Sequence, residues 1–227
     1  ATEETPLAPV GDYAESCAQR EAVFATQSRC AGTAVTLIRL NYSVEFRYGV
    51  LSDIATKLFH DPEAGGFFFT ASDAEKLLVR SKHPQDGAIP AGNSVHAMNL
   101  LRLAILLDRK EDRVLAESVF RAMAGKVESS PGAYERLCCA VDFYHDRVKE
   151  IAIIGDLASP DTRALLRTAF ERYLPNKVVV HAGDKLSETP IALLANKGRI
   201  DGKATAYVCE NYRCQLPVTT AQELASE

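Results

Sequence analysis

The sequence has no basic block and no apolar run long enough to cross a membrane. Its 26 lysines and arginines are outnumbered by 30 aspartates and glutamates, which gives a net charge of −4. Proteins that bind nucleic acid present a basic field to the phosphates. The apolar run 100–107 is interrupted by Arg102 and falls well short of the roughly 20 residues that a bilayer requires. We therefore expect neither a nucleic acid partner nor membrane association.

A secretory signal and a C-x-x-C redox motif are also missing. Segment 1–5 carries no basic residue and no apolar run follows it, so it does not have the form of a signal peptide. Among the six cysteines, Cys138 and Cys139 are adjacent on a predicted helix, where consecutive side chains diverge by about 100°. We expect a cytoplasmic protein whose cysteines are mostly reduced.

The residues that are present predict a mostly helical chain. Hydrophobic residues make up 47% of the sequence and charged residues 25%, values typical of a globular protein. Helical periodicity predicts one helix that ends near Phe59 and three more over 95–107, 111–126 and 131–144. The second is apolar almost all round, so we expect it to be buried on every side. The third should turn four side chains inward: Val114, Leu115, Val119 and Met123.

The pattern changes after Val148. The continuous apolar run 151–154 is typical of a buried parallel strand, segment 159–161 has the form of a helix start, and 178–180 predicts a second strand. This order indicates a βαβ unit. The sequence therefore predicts a poorly defined extension over 1–41, a helical part over 42–146 and a smaller α/β part over 147–227.

Three stretches, taken in order, resemble one family. They are Leu58-Phe59-His60-Asp61 with Gly65-Gly66-Phe67-Phe68; the loop from Asp86 to Ser94 with Asn99-Leu100-Leu101-Arg102-Leu103; and Ala206-Tyr207-Val208-Cys209 with the segment from Cys214 to Thr219. Over about residues 42–227 the chain is similar to the spermatogenesis-associated, thioredoxin-domain-containing protein family. The resemblance implies a helical toroid similar to six-hairpin glycosidases and sugar epimerases. Because the chain offers about four helices and no C-x-x-C motif, we expect a partial toroid without its thioredoxin domain.

The loop 86–94 is the first candidate site. Gly87 and Gly92 would allow close approach of backbone, and the following helix would present free amides. Asp86 and Asn93 have the chemistry to bind the hydroxyls of a sugar-like ligand, and the resemblance implies that such loops line the central cavity. Ser94 and His96 would lie beside them. The alternative is structural, with Asn93 or Ser94 capping the helix, Asp86 forming a turn and His96 packing in the core.

Cys209 and Cys214 form the second candidate site. The four residues between them are typical of a tight turn, so a disulfide or a shared metal is geometrically conceivable. Arg213 would lower the thiol pKa of Cys214 and so favour redox chemistry. However, redox pairs normally have C-x-x-C spacing, and zinc needs two more ligands. We therefore expect two structural thiols and no metal.

These observations leave three hypotheses open. The first is a non-catalytic binding or scaffold module that uses no cofactor. Its partners would be a small polar or sugar-like ligand or a thioredoxin-type protein, and uncovered apolar helix faces would favour self-association. The second is a carbohydrate-active hydrolase or epimerase, although no spacing identifies the pair of carboxylates that such chemistry needs. The third is a thiol-redox accessory protein that uses Cys209 and Cys214.

Overall fold

The structure is a computed structural model that describes residues 50–183, 191–211 and 213–227. The described residues belong to one compact unit, Glu45–Glu227. The predicted extension 1–41 lies outside them.

The described residues form six helices and four strands. The helices are α1 (Val50–Phe59), α2 (Gly92–Leu107), α3 (Lys110–Ser129), α4 (Glu135–His145), α5 (Pro160–Glu171) and α6 (Ala221–Ser226). The strands are β1 (Lys149–Ile154), β2 (Lys177–Ala182), β3 (Thr205–Glu210) and β4 (Arg213–Cys214). Two single 3₁₀ turns, Pro131–Ala133 and Ala192–Leu194, complete the regular structure. The chain is therefore mostly α with a smaller α/β part, which confirms the predicted fold class.

Helix α2 is the centre of the helical layer and packs against both α3 and α4. Leu100 and Leu101 are buried, as the apolar pattern predicts, but Asn99 and Arg102 are exposed. The expectation that α2 is buried on every side is therefore wrong, because one stripe of the helix faces solvent.

Helix α3 buries a different stripe from the one that its sequence predicts. Ala116, Val119 and Met123 lie in the core at spacings of three and four residues. Leu115 is half-buried and packs against that core. Val114 is 56% exposed, so its predicted inward orientation is wrong. The stripe begins instead at Asp112, two residues earlier, whose side chain is buried beside the Arg109 guanidinium.

The four strands form one mixed sheet in the order β2-β1-β3-β4. Strands β1 and β2 are parallel and joined through α5, which confirms the predicted βαβ unit, while β3 is antiparallel to β1. Ala152 and Ile154 pack on the helical layer, whereas Ile151 and Ile153 contact a second core around Leu165 of α5. Because both faces of β1 are covered, its sequence is a continuous apolar run rather than an alternating one.

A single hydrophobic core joins the helical layer to the sheet. Leu100 of α2, Phe143 of α4 and Ile154 of β1 all belong to it. The predicted division near residue 147 therefore coincides with a change of secondary structure within one core. That this division is a domain boundary stays a prediction. Within the described residues, no helix combines the length and apolar character needed to cross a bilayer.

Candidate functional site

Asp86 joins two helix starts through its carboxylate. Oδ1 accepts a hydrogen bond from the backbone N–H of Ala91 at 2.8 Å, and Oδ2 accepts one from the N–H of Arg136 at 2.9 Å. Arg136 lies in the first turn of α4, where backbone amides have no partner within the helix. Both carboxylate oxygens therefore bind backbone, which agrees with the turn and capping alternative.

Asn93 binds a distant segment rather than the start of its own helix. Its Oδ1 accepts from the N–H of Phe67 and its Nδ2 donates to the carbonyl of Phe67, both at 2.8 Å. Helix α2 begins after Ala91, and no side chain caps it, so the prediction that Asn93 or Ser94 caps this helix is wrong. The paired amide instead fixes the turn at Gly65 and Gly66 against α2.

Ser94 and His96 each have a buried polar side-chain atom without a hydrogen-bond partner in the part of the chain that the structure describes. The side chain of Ser94 is fully buried, and its Oγ has no hydrogen-bond partner among the described residues. The His96 ring meets the Phe67 ring edge-on, with centroids 4.5 Å apart. Burial lowers the pKa of His96 to about 4, so the imidazole is neutral at physiological pH.

The glycines of loop 86–94 do not have the predicted close contacts. A Cβ atom added at Gly87 or Gly92 would meet no atom within 4 Å, so neither position requires glycine for close approach. Asn93 and His96 meet at Phe67, whereas Asp86 faces the start of α4. A shared ligand for Asp86, Asn93, Ser94 and His96 stays a prediction.

The second candidate site is the hairpin of β3 and β4, where Cys209 and Cys214 form a disulfide. The expectation that these two cysteines are reduced structural thiols is therefore wrong. Gln215 N–H donates to the Val208 carbonyl at 2.9 Å, which makes the neighbouring Cys209–Cys214 pair a non-hydrogen-bonded one. Such pairs hold the Cα atoms closest together, within reach of a disulfide. Asn211 in the turn has a φ of 49°, which asparagine tolerates well.

The two cysteines of the disulfide differ in their exposure to solvent. Cys209 is 1% exposed, because its side chain lies on the face of the sheet that packs on the helical layer. Cys214, at the edge strand, is exposed. The other cysteines that the structure describes, Cys138 and Cys139, are free.

Two cavities meet at this disulfide. The larger, of about 600 Å³, is open to solvent and is lined by polar residues that include Arg147, Glu210, Asn211, Arg213 and Gln215 together with Cys209. The smaller, of about 150 Å³, lies between the sheet, the end of α2 and the 3₁₀ turn Ala192–Leu194. Its lining includes Asp108, Glu150, Leu193, Lys197 and both cysteines. Cys209 therefore lines both cavities, whereas Cys214 lines only the smaller one.

The small cavity contains an acid and a base that the sequence analysis missed. Glu150 is 3% exposed and lies opposite Cys209 in the β1–β3 register. Burial lowers the pKa of Lys197, while the negative charge of Glu150 opposes that shift. A glutamate between Lys149 and Ile151 has no distinctive sequence signal, because its importance depends on the strand that pairs with it. Elsewhere in the part of the chain that the structure describes, no cluster of acidic, histidine or cysteine side chains has the form of a metal site.

The stretches that carry the family resemblance occupy connected positions in this fold. The first lies at the end of α1 and the Gly65–Gly66 turn, and the second leads into α2; the two meet through the Asn93–Phe67 hydrogen bonds. The third forms the disulfide hairpin. The chain is therefore a protein in which a helical layer is joined to a small mixed sheet. These stretches lie at the contacts between its elements.

Comparison with known proteins shows that the chain belongs to the spermatogenesis-associated protein family that these stretches predict. The chain is 38% identical over 180 residues to rat spermatogenesis-associated protein 20, an alignment that covers 77% of this chain and 23% of the rat protein. The human protein of the same name is 37% identical over 180 residues, and the alignment covers 77% of this chain and 23% of the human protein. An uncharacterised Caenorhabditis elegans protein is 29% identical over 163 residues, and the alignment covers 70% of this chain and 22% of that protein. The chain thus spans less than a quarter of the length of these relatives. No family model and no solved structure matches it.

Proposed function

We propose that the chain is a thiol-redox accessory protein that exchanges its Cys209–Cys214 disulfide with a dithiol protein of the thioredoxin type. The observation that carries this proposal is the unequal access of the two cysteines. Cys214 is exposed on an edge strand, whereas Cys209 is buried against the helical layer. A disulfide of this kind offers one sulfur to an incoming thiolate and shields the other.

The exchange proceeds in two balanced steps. A thiolate of the partner attacks Sγ of Cys214, the Cys209–Cys214 bond breaks, and its electron pair leaves on Sγ of Cys209, which takes up a proton. The second partner thiolate then attacks the mixed disulfide and releases Cys214. The chain gains two electrons and two protons, and the partner dithiol becomes a disulfide.

The open groove supports this assignment by its charge and size. Arg147 and Arg213 line it, and arginine close to a cysteine stabilises the thiolate. A groove of about 600 Å³ is also within the range of roughly 300–1,000 Å³ typical of ligand sites. Two groove residues, Arg213 and Gln215, flank Cys214 in the sequence, so an extended peptide segment bound in the groove would lie along the chain segment that carries Cys214.

A scaffold module without chemistry of its own is the second candidate. It is favoured by the loop 86–94, where both oxygens of Asp86 and both polar atoms of Asn93 bind backbone. The carbohydrate-active alternative would require paired carboxylates that are free to act on a sugar. Asp86 is the main candidate for one of these carboxylates, but its side chain already accepts hydrogen bonds from the backbone amides of Ala91 and Arg136.

Covalent trapping tests the exchange function. In a background with the substitutions Cys17→Ser, Cys30→Ser, Cys138→Ser and Cys139→Ser, the further change Cys209→Ser leaves Cys214 as a lone exposed thiol. With a thioredoxin that lacks its resolving cysteine and has been activated as a mixed disulfide, we expect this variant to form a covalent complex that dithiothreitol reverses. Non-reducing electrophoresis and mass spectrometry of the linked peptides measure the product.

The matched control is Cys214→Ser in the same background, which leaves only the buried Cys209. We expect at least about tenfold less complex with this variant, because a buried thiol is shielded from attack. Equal trapping by both variants, or no complex with either, would contradict the proposed exchange.

A further inference from the structure

The small cavity behind the disulfide contains a buried acid beside the shielded cysteine. We propose that Glu150 is the proton acceptor for Cys209 when that thiol resolves a mixed disulfide on Cys214. This inference rests on the proposed exchange function and assigns a further residue to the same site. No part of the family resemblance points to Glu150.

The strand register brings the two side chains together. Glu150 of β1 lies directly opposite Cys209 of β3, so both side chains project from the same face of the sheet. The Cβ atoms of directly opposite residues are about 4.5–5.5 Å apart, a gap that a glutamate side chain spans easily. Both residues line the 150 Å³ cavity, and they are 3% and 1% exposed.

The cavity is small enough for the groups that line it to interact directly. Its volume of about 150 Å³ corresponds to roughly five water molecules at about 30 Å³ each. Asp108, Glu150 and Lys197 are the titratable side chains on its wall besides the cysteines. Asp108 is exposed at the end of α2, whereas Glu150 is buried and acts electrostatically on Lys197.

Lys197 has a supporting role in the same step. A buried thiolate is unfavourable unless a positive charge lies close by. Glu150 favours the charged ammonium of Lys197 against the effect of burial. Lys197 lines the same cavity as Cys209, where its ammonium would stabilise the negative charge that develops on the sulfur. The acid therefore accepts the proton while its paired base stabilises the sulfur.

The resolving step moves one proton and exchanges one disulfide bond for another. In the mixed disulfide, Cys214 is bonded to the partner sulfur, Cys209 is a thiol and Glu150 is a carboxylate. The Cys209 proton moves to Glu150 as Sγ of Cys209 attacks Sγ of Cys214. The bond to the partner breaks, the partner leaves as a thiolate, and the Cys209–Cys214 disulfide forms again with Glu150 protonated.

A two-phase reaction with 5,5′-dithiobis(2-nitrobenzoate) separates this step from the first attack. The fully reduced full-length chain is used in a background that keeps only the hairpin pair, with the substitutions Cys17→Ser, Cys30→Ser, Cys138→Ser and Cys139→Ser. The first release of coloured thionitrobenzoate reports attack by Cys214, and the second reports resolution by Cys209. We expect Glu150→Gln to leave the first rate constant unchanged and to lower the second about tenfold or more at neutral pH.

The control is Glu171→Gln, which alters an exposed glutamate at the end of α5 and should change neither phase. A second phase in Glu150→Gln within twofold of the parent rate would overturn the role of Glu150 and leave the exchange function intact. The absence of a first phase in the parent would contradict the exchange function itself.

The parent protein supplies a test that does not depend on the folding of a buried variant. With Glu150 as proton acceptor, the second rate constant should already reach a plateau well below the ordinary thiol pKa of about 8.5. A thiol that is ionised by solvent alone would instead give a second rate constant that rises tenfold per pH unit up to the thiol pKa. That result would overturn the inference. Circular dichroism confirms that each variant is folded before it is compared.

Discussion

Replacement of Asn93 by leucine should lower the free energy of unfolding by about 2–5 kcal/mol. The substitution keeps the branched arrangement of side-chain heavy atoms but removes the amide oxygen and the amide nitrogen. The N–H and the carbonyl of Phe67, which bind Asn93 at 2.8 Å each, would then remain buried without partners. Each buried polar group left unsatisfied costs about 1–3 kcal/mol. Urea denaturation followed by circular dichroism measures the change.

Asn99→Leu is the matched control, because Asn99 lies on the same helix with an exposed side chain. It should change stability by less than about 0.5 kcal/mol. If the two variants were equally stable, the Asn93 amide would not hold the Gly65–Gly66 turn, and its assignment to a ligand would regain support.

Gly65→Ala should destabilise the protein by about 2–4 kcal/mol, for two separate reasons. Gly65 has a φ of 75°, in the left-handed region that costs a residue with a Cβ about 1–2 kcal/mol. In addition, the new Cβ would lie 2.5 Å from the carbonyl oxygen of Ser118, a backbone atom of α3 that cannot rotate away. Thermal and urea denaturation should both show the loss.

Gly125→Ala tests whether the effect depends on position. Gly125 lies on α3, the helix that Gly65 approaches, but a Cβ at Gly125 would meet no atom within 4 Å. Alanine is the better helix former by about 1 kcal/mol, so this control should be neutral or stabilising. Destabilisation of both variants to the same extent would contradict the close contact between the Gly65 turn and α3.

The elements set by local chemistry were predictable from the sequence. The apolar run 151–154, the helix start at 159–161 and the run 178–180 identify the βαβ unit, because buried parallel strands need apolar side chains on both faces. The antiparallel position of β3 beside β1 was not predicted. Strand order depends on contacts between segments far apart in the chain, and no single segment encodes it.

Asn93 shows why local chemistry was insufficient at the first candidate site. Its place before an apolar helix fits a cap, and the same amide fits the backbone of Phe67 equally well. The second arrangement satisfies two buried groups, 26 residues away. No local signal in the sequence indicates that the Gly65–Gly66 turn returns to this point.

The cysteine pair and Glu150 show a similar limit at the second site. The turn between Cys209 and Cys214 was recognisable, but their oxidation state was inferred from the chain as a whole rather than from the pairing of the two positions. Glu150 became a candidate only when the β1–β3 register placed it opposite Cys209. A buried charge beside a cysteine is a property of the sheet and not of either strand.

The redox midpoint of the Cys209–Cys214 hairpin tests the central claim most directly. The chain, with Cys17, Cys30, Cys138 and Cys139 replaced by serine, is equilibrated in thiol–disulfide buffers of graded potential, and free thiols are counted by mass after alkylation. A disulfide that exchanges with thioredoxin-type proteins should have its midpoint at about −270 to −180 mV. A midpoint below about −300 mV, the range of structural disulfides, would contradict the account.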